Sequence, residues 1–378
     1  MESIFSKKKV LIFKKRKKSY YYDLFIKGII SYGQPSEVYY VEYDSFDNIF
    51  SINKKIKNLL ISKKIDIFIV TSFYFIDPDL LKSLQGKVFR IKIDGDDLAL
   101  FDVYSKYYGK LYDINITNTL EIHKKFKELG CNSFIFASPA NNNFNEEEQI
   151  EEKYDVTFMG LIRNERKNLI EYIKNNKINL SLFGDKNYSK VLSQKDYFKT
   201  IKNSKINLNF CSLSHNLDEV FFDKKKLQKL KNMTGRIFEI LSCKSFLLTE
   251  YNPTLEYFFS PGKDLEVFKS KEELVDKINF YLVNDNLRNK IAEQGYKTFM
   301  QKYEFSTYMP HFIKQIDSFK SKNIQIKKLA CPREVKKFFT QKYISIYSLL
   351  RYEFYFSLFK YFDISLIFKK IFTKVFRI

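Results

Sequence analysis

The chain has 378 residues, 45% of them hydrophobic and 29% charged, and Lys+Arg 65 against Asp+Glu 44 leaves a formal net charge of +21. At roughly 150 residues per domain this length predicts two domains, each with chain enough for a core, and the fractions exclude wholesale disorder, collagen and a coiled-coil rod. Cys131, Cys211, Cys243 and Cys331 have no close pairing, which excludes a zinc ribbon or a CxxC redox pair and argues against a disulfide scaffold, so a reducing cytosol is expected.

The opening stretch MESIFSKKKVLIFKKRKK sets a short apolar run between two basic clusters with no small-residue cleavage site, so it reads as cytoplasmic sequence without a signal peptide. Strand candidates follow at Lys9–Phe13, Glu37–Glu42, Ile65–Thr71, Val88–Ile93, Ile114–Thr117 and Ser133–Ala137. Helical stretches fit near 20–31, 54–63, 77–84 and 119–129. This alternation predicts a parallel sheet with crossover helices, one doubly wound domain over 1–145. The interval NNNFNEEEQIEEK, Asn141–Lys153, has no apolar periodicity and reads as a linker.

The alternation restarts at Asp155–Met159, Asn179–Phe183, Ile206–Cys211, Ser245–Thr249 and Leu265–Phe268, with helices near 163–175, 188–202, 234–243, 271–283, 285–300 and 305–319. A second Rossmann-like domain is expected over 154–304, a crossover helix over 305–322 and a basic aromatic amphipathic tail over 323–378. Two such domains facing each other would set the carboxyl ends of both sheets at one cleft. Two-Rossmann (GT-B) glycosyltransferases, bilobed binding proteins and two-domain dehydrogenases share that plan, so fold alone does not choose.

No G-x-G-x-x-G follows any strand and no GxxxxGK[ST] is present, which removes the dehydrogenase and the ATP-driven readings. His123, His215 and His311 lie far apart without HExxH spacing, so no metal site and no resident cofactor are expected.

The segment Thr234–Glu250, TGRIFEILSCKSFLLTE, reads as a helix with a buried face of Ile237, Phe238, Ile240 and Leu241 running into a strand. Arg236 and Glu239 are i and i+3, on one side near the positive end of the helix dipole. That pair suits a nucleotide diphosphate, with guanidinium and free N–H groups on phosphate and the carboxylate on ribose hydroxyls. On spacing alone an exposed helical salt bridge, worth about 0.3–0.5 kcal/mol, is the favoured reading.

Beyond spacing, residues Tyr154 to about Tyr303 resemble the C-terminal domain of the spore-maturation (CgeB-like) branch of GT-B glycosyltransferases. The matching pieces come in order: YDVTFMGLIRNERKNLI, NLSLFG, SKINLNF, TGRIFEILSCKSFLLTE and FFSPGKDLEVFKSKEELVDKINFYL. The first domain matches through its strand plan and the acidic IDGDD. The resemblance implies a nucleotide-sugar co-substrate, with Glu239 on the donor ribose and Arg236 on its phosphates. One departure is Ser242-Cys243-Lys244-Ser245, where the family has a glycine after Ala-Cys.

FMGLIRNER offers a second anion site, because Gly160 ends a strand and opens a helix whose first turn carries Arg163 and Arg166. A basic solvated helix face is the alternative. Thr249 and Glu250 end a strand at the edge where a donor sugar would sit, or Glu250 is simply exposed. In the first domain Asp94, Asp96 and Asp97 follow a strand at its carboxyl end, with Gly95 allowing a tight turn. One of them is a candidate general base for an inverting transfer, its pKa raised by crowding; a turn and helix cap is the other reading.

From Lys320 to Ile378, 14 Lys/Arg stand against Glu334, Glu353 and Asp363, a net +11. The Lys-, Asn-, Ile-, Phe- and Tyr-rich composition is what AT-rich codons produce, an alternative to a nucleic-acid partner for the positive charge of the body of the chain, but the tail's asymmetry needs its own explanation. Fourteen Phe or Tyr between Phe338 and Phe376 interleave with Lys342, Arg351, Lys360, Lys369, Lys370 and Lys374, with no charge-free run of 18 residues. That pattern predicts a helix lying in an anionic headgroup layer rather than spanning it. Packing on the catalytic body and a nucleic-acid surface are the competing readings, nucleic acid the least favoured. The sequence therefore points to an α/β GT-B enzyme, peripheral on the inner face of a membrane. It would pass a sugar to a glycan or lipid-linked acceptor. A non-catalytic nucleotide- or polyanion-binding protein and a glycerol-phosphate transferase are the rivals.

Overall fold

The computed structural model describes residues 3–16, 20–43, 47, 49–71, 76–138, 140, 152–187, 191–213, 229–319, 333, 336–337, 340 and 363–375. Most of the expected linker (141–151), His215, Cys331 and most of the expected tail lie outside the described residues. The chain divides into two compact units, Met1–Phe136 with Phe312–Ile378, and Ala137–His311.

The first unit is built on a six-stranded parallel sheet in the order β2-β1-β3-β4-β5-β6. Its strands are β1 (Lys9–Lys15), β2 (Glu37–Tyr43), β3 (Ile67–Val70), β4 (Phe89–Asp94), β5 (Ile114–Thr117) and β6 (Ser133–Ile135). Val10 pairs with both Val38 and Ile67, so β1 is central, and its Val10–Phe13 run is fully buried, as a strand covered on both faces requires. Helix Ile49–Ser62 turns Ile49, Ile52, Ile56 and Leu60 inward at helical spacing. Its buried Asn53 accepts from the Asp77 N–H at 2.8 Å, fixing the entry to helix Pro78–Ser83.

The segment after β4 is more elaborate than the turn expected there. A helical turn at Asp97–Leu100 runs into a π-helical turn at Phe101–Ser105, then into Lys106–Tyr108 and a 3₁₀ turn at Gly109–Leu111. Gly109 is required for packing, because a Cβ there would lie 2.5 Å from Phe126. The C-terminal part of helix Phe305–Ser318 packs Phe312 against Phe25 and Phe134, and Asp317 accepts from the Ile4 N–H at 2.7 Å.

The second unit carries a five-stranded parallel sheet in the order β11-β10-β9-β7-β8. The strands are β7 (Tyr154–Met159), β8 (Leu180–Phe183), β9 (Ser204–Asn209), β10 (Leu247–Glu250) and β11 (Glu266–Phe268). Val156, Phe158, Ile206, Leu208 and Leu248 form the sheet side of one buried cluster, closed by Ile170, Ile173, Leu274 and Ile278 from helices Glu165–Asn175 and Lys271–Val283. The expected helix at 188–202 is shorter, starting at Gln194, with Ser193 capping through its hydroxyl; residues 188–190 lie outside the described set. Helix Gly235–Ser242 forms as expected, and Lys244 after it adopts φ 56, the left-handed conformation. This is the position where the sequence departs from the family glycine, so the turn keeps a glycine-like backbone without the glycine.

Candidate functional site

In the second unit β8 lies to one side of β7 and β9, β10 and β11 to the other, so the order reverses between β7 and β9. Loops leaving two strands at such a point diverge, opening a crevice at their carboxyl ends where doubly wound sheets bind ligands. The loop after β7 begins at Gly160 and the loop after β9 at Phe210.

Gly160 has φ +154, and a Cβ on it would lie 2.5 Å from Nη2 of Arg236. The guanidinium from the first turn of helix Gly235–Ser242 is thus laid over the glycine, and only a residue without a side chain leaves it there. Gly184, at φ +90, supports Gly160 from β8, and the Gly160 N–H donates to the Phe183 carbonyl at 2.8 Å. Buried Asp185 accepts from the Ile162 N–H at 2.8 Å, which fixes the rest of the loop.

Arg236 donates from Nη1 to Oδ1 of Asn209 at 2.9 Å, and its guanidinium carbon stands 5.3 Å from the centre of the Phe158 ring. Asn209, fully buried at the end of β9, also accepts from the Thr234 hydroxyl at 2.8 Å and donates to Oγ1 of Thr249 at 2.9 Å. One amide therefore joins the ends of β9 and β10 to the start of the helix.

Arg166 is buried, donating from Nε to the Ser212 carbonyl at 2.9 Å and from Nη1 to the Leu161 carbonyl at 3.3 Å. Its pKa is pushed down to about 10, first by burial and then by the neighbouring charge of Arg236. The two anion sites read separately from the sequence thus share one locality. Glu250 is buried rather than exposed, accepting from the Ser212 N–H at 2.9 Å and pairing with Lys231 at 3.2 Å. Thr249 is buried on Asn209, and Arg163 is exposed.

Glu239 accepts a hydrogen bond from the Tyr197 hydroxyl at 2.6 Å. Burial raises its carboxyl pKa, opposed by that hydrogen bond and by Arg236, and burial with the Glu239 charge pushes the Tyr197 phenol well above its usual range. This locality therefore offers two guanidinium groups and one partly buried carboxyl held by a phenol. Such a set attracts an anion that also carries hydroxyl donors.

In the first unit the aspartates are not three open carboxylates on a turn. Lys92, fully buried, sits 3.1 Å from Asp94 and 2.5 Å from Asp97, and the Ser105 hydroxyl donates to Asp97. Burial and the Asp94 charge raise the Asp97 pKa to about 7, against the pull of Lys92. Asp94 accepts from the Asp96 N–H at 2.8 Å, and Asp96 alone of the three keeps solvent exposure. Crowding does raise a pKa as expected, but on the most buried member, and burial is the larger cause.

Asn209, Tyr197, Lys231 and Asp185 did not figure in the sequence reading. Asn209 left a signal, an amide inside the apolar run INLNFC where a buried polar group must be satisfied. Tyr197 left none, since its role depends on a helix 42 residues before Glu239.

Residues 163–314 match the family model described as glycosyl transferase-like. No curated protein matches the sequence. Among solved structures, Anabaena HepE in complex with UDP-glucose is similar at TM-score 0.60 and 11% identity, over 82% of this chain and 99% of that one. A glycosyltransferase from Rickettsia africae is similar at TM-score 0.58 and 11% identity, over 83% and 98%. Sucrose-phosphate synthase from Thermosynechococcus elongatus is similar at TM-score 0.59 and 6% identity, over 82% and 98%. The fold is that of the GT-B glycosyltransferases, two Rossmann-like parallel sheets.

Proposed function

We propose that this chain is a glycosyltransferase that moves a sugar from a nucleotide diphosphate donor to a glycan or lipid-linked acceptor without a resident cofactor or metal. The observation that carries the reading is the convergence of Gly160, Arg166, Arg236 and Glu239 at the strand-order reversal of the second unit. The likeness of residues 163–314 to glycosyl transferases supports it, as does a structural neighbour that holds UDP-glucose. The order of matching segments favours the spore-maturation-like branch.

In this reading the donor diphosphate lies over Gly160 against Arg236, with Arg166 behind. Breaking the glycosidic bond leaves extra negative charge on the diphosphate, and preset cations stabilise that charge more than the ground state. Arg236 and Arg166 are preset, since Asn209 and the Ser212 carbonyl hold them in place before any ligand arrives. Glu239, fixed by Tyr197, accepts from the ribose hydroxyls. Thr249 and Glu250 shape the floor beside the sugar, and Arg163 contributes from the exposed edge. The acceptor hydroxyl must lose its proton; Asp96, half-buried, is the candidate of the three to receive it, with Asp94 and Asp97 setting its surroundings.

The test is thermal shift of the full chain with UDP, GDP, ADP and CMP, on wild type and Glu239→Ala. Stabilisation by one nucleotide, lost in the variant, is the expected result, followed by product analysis with the matching sugar nucleotides. Indifference to all four nucleotides overturns the proposal.

A further inference from the structure

We propose that helix Ile364–Val375 docks on an anionic phospholipid headgroup layer through the stripe Ile364, Phe368 and Phe372. The helix is started by Asp363, whose carboxylate accepts from the Ser365 N–H at 3.1 Å and the Ser365 hydroxyl at 2.6 Å. Its start is tied by the Asp363 N–H, which donates to the Thr340 hydroxyl at 2.8 Å, and Ile367 is buried at 7% exposed. Ile364, Phe368 and Phe372 are 51%, 61% and 64% exposed. Spaced at i, i+4 and i+8, they fall within about 80° of one another around the helix, a continuous line of large apolar groups facing outward. Scattered exposed apolar residues need no account, but an aligned stripe of two phenyl rings and an isoleucine marks an interaction face.

The identity of the partner follows from charge. Lys369 is exposed beside the stripe, and Lys370, Lys374 and Arg377 follow within the next eight residues of sequence. The last 59 residues carry the net +11 already noted. A second copy of this chain would bring an equal positive charge to the same place and be repelled. A nucleic acid would satisfy the lysines but give the phenyl stripe no apolar medium to enter. An anionic lipid surface satisfies both, with rings at the acyl boundary and ammonium groups among the phosphates. No helix among the described residues is long and apolar enough to cross a membrane, so the contact is with the surface.

The experiment is co-sedimentation of the full chain with vesicles, either wholly zwitterionic or containing about 30% anionic phospholipid, the range in which surface potential attracts basic segments. Wild type should bind the anionic vesicles selectively. Phe368→Ser with Phe372→Ser should weaken that binding at least about tenfold, the effect of withdrawing one to two buried rings. Lys369→Glu with Lys370→Glu should remove the preference for anionic over zwitterionic vesicles. Unchanged melting temperatures confirm that the variants fold. Three results overturn the proposal: no binding to either vesicle, equal binding by wild type and the Phe variant, or a wild-type dimer that the Phe variant dissociates. Loss of RNA binding in the Phe variant, with vesicle binding intact, also overturns it.

Discussion

Replacing Arg236 by Gln separates a phosphate contact from a structural role. A charged hydrogen bond of this kind contributes about 1.5–3 kcal/mol, so losing it at the diphosphate should weaken the preferred nucleotide roughly 10- to 150-fold. At a nucleotide concentration of about 100 Kd the wild type gains about 2.7 kcal/mol of stability, whereas a variant weakened a hundredfold gains only about 0.4 kcal/mol. At roughly 2–4 °C per kcal/mol for a domain of this size, the ligand-induced rise in Tm falls from about 5–11 °C to about 1–2 °C. Without nucleotide the variant should melt at or above the wild-type temperature. Arg166 loses a like-charged neighbour, and Oδ1 of Asn209 keeps the Thr234 hydroxyl as donor. Differential scanning fluorimetry with and without nucleotide reads both quantities. An unliganded Tm several degrees lower, with the ligand-induced rise intact, would show that Arg236 braces the fold and would refute the phosphate assignment.

Three further substitutions probe the same geometry. Gly160→Ala places a methyl 2.5 Å from Nη2 of Arg236 at φ +154; it should cost about 1–3 kcal/mol of stability and weaken nucleotide binding, read by melting and calorimetric titration. Lys244→Gly relieves a left-handed non-glycine residue at the expense of an exposed pair with Glu293. The first effect is worth about 1 kcal/mol and the second a few tenths, so urea unfolding should show a small net stabilisation. Asp97→Asn tests the buried cluster. Its folded pKa of about 7 lies above the unfolded value, so the fold favours the protonated form, and wild-type stability is lost as pH rises from about 4 toward 7. The amide mimics the protonated form, so its Tm relative to wild type should rise between pH 5 and pH 8; a flat or falling difference contradicts the assignment.

The elements were legible because each strand is a short β-rich run and each crossover helix carries its own apolar period. Lys271–Val283 forms over the expected span, and Ile114–Thr117 does likewise. The segment after β4 was not legible. A π-helical turn has no distinctive period, and its register is imposed by Lys92 and Ser105 converging on Asp97. A lysine within the apolar run VFRIKI gave a local hint that a buried cation needs an acidic partner, but not which of three nearby aspartates would serve.

The donor-site candidates divide along the same line. Arg236 and Glu239 were found because helical spacing is a local property, readable over four residues. The relation between Arg236 and Gly160 spans 76 residues and exists only because β9 is inserted next to β7, leaving β8 outside. Pattern reasoning treats FMGLIRNER and TGRIFE separately, the first reading as well as a solvated basic face and the second as an exposed helical salt bridge. The sheet order brings them to one locality, and this changes the energetics. Two guanidinium groups close enough to depress one pKa repel each other, and burial removes the water that would screen them. Asn209, the Ser212 carbonyl and Glu250 offset part of that cost from fixed positions. An anion placed between the cations relieves the remainder. Under the proposed function, the repulsion retained in the unliganded fold is the quantity that would link this chain's strand order to diphosphate binding.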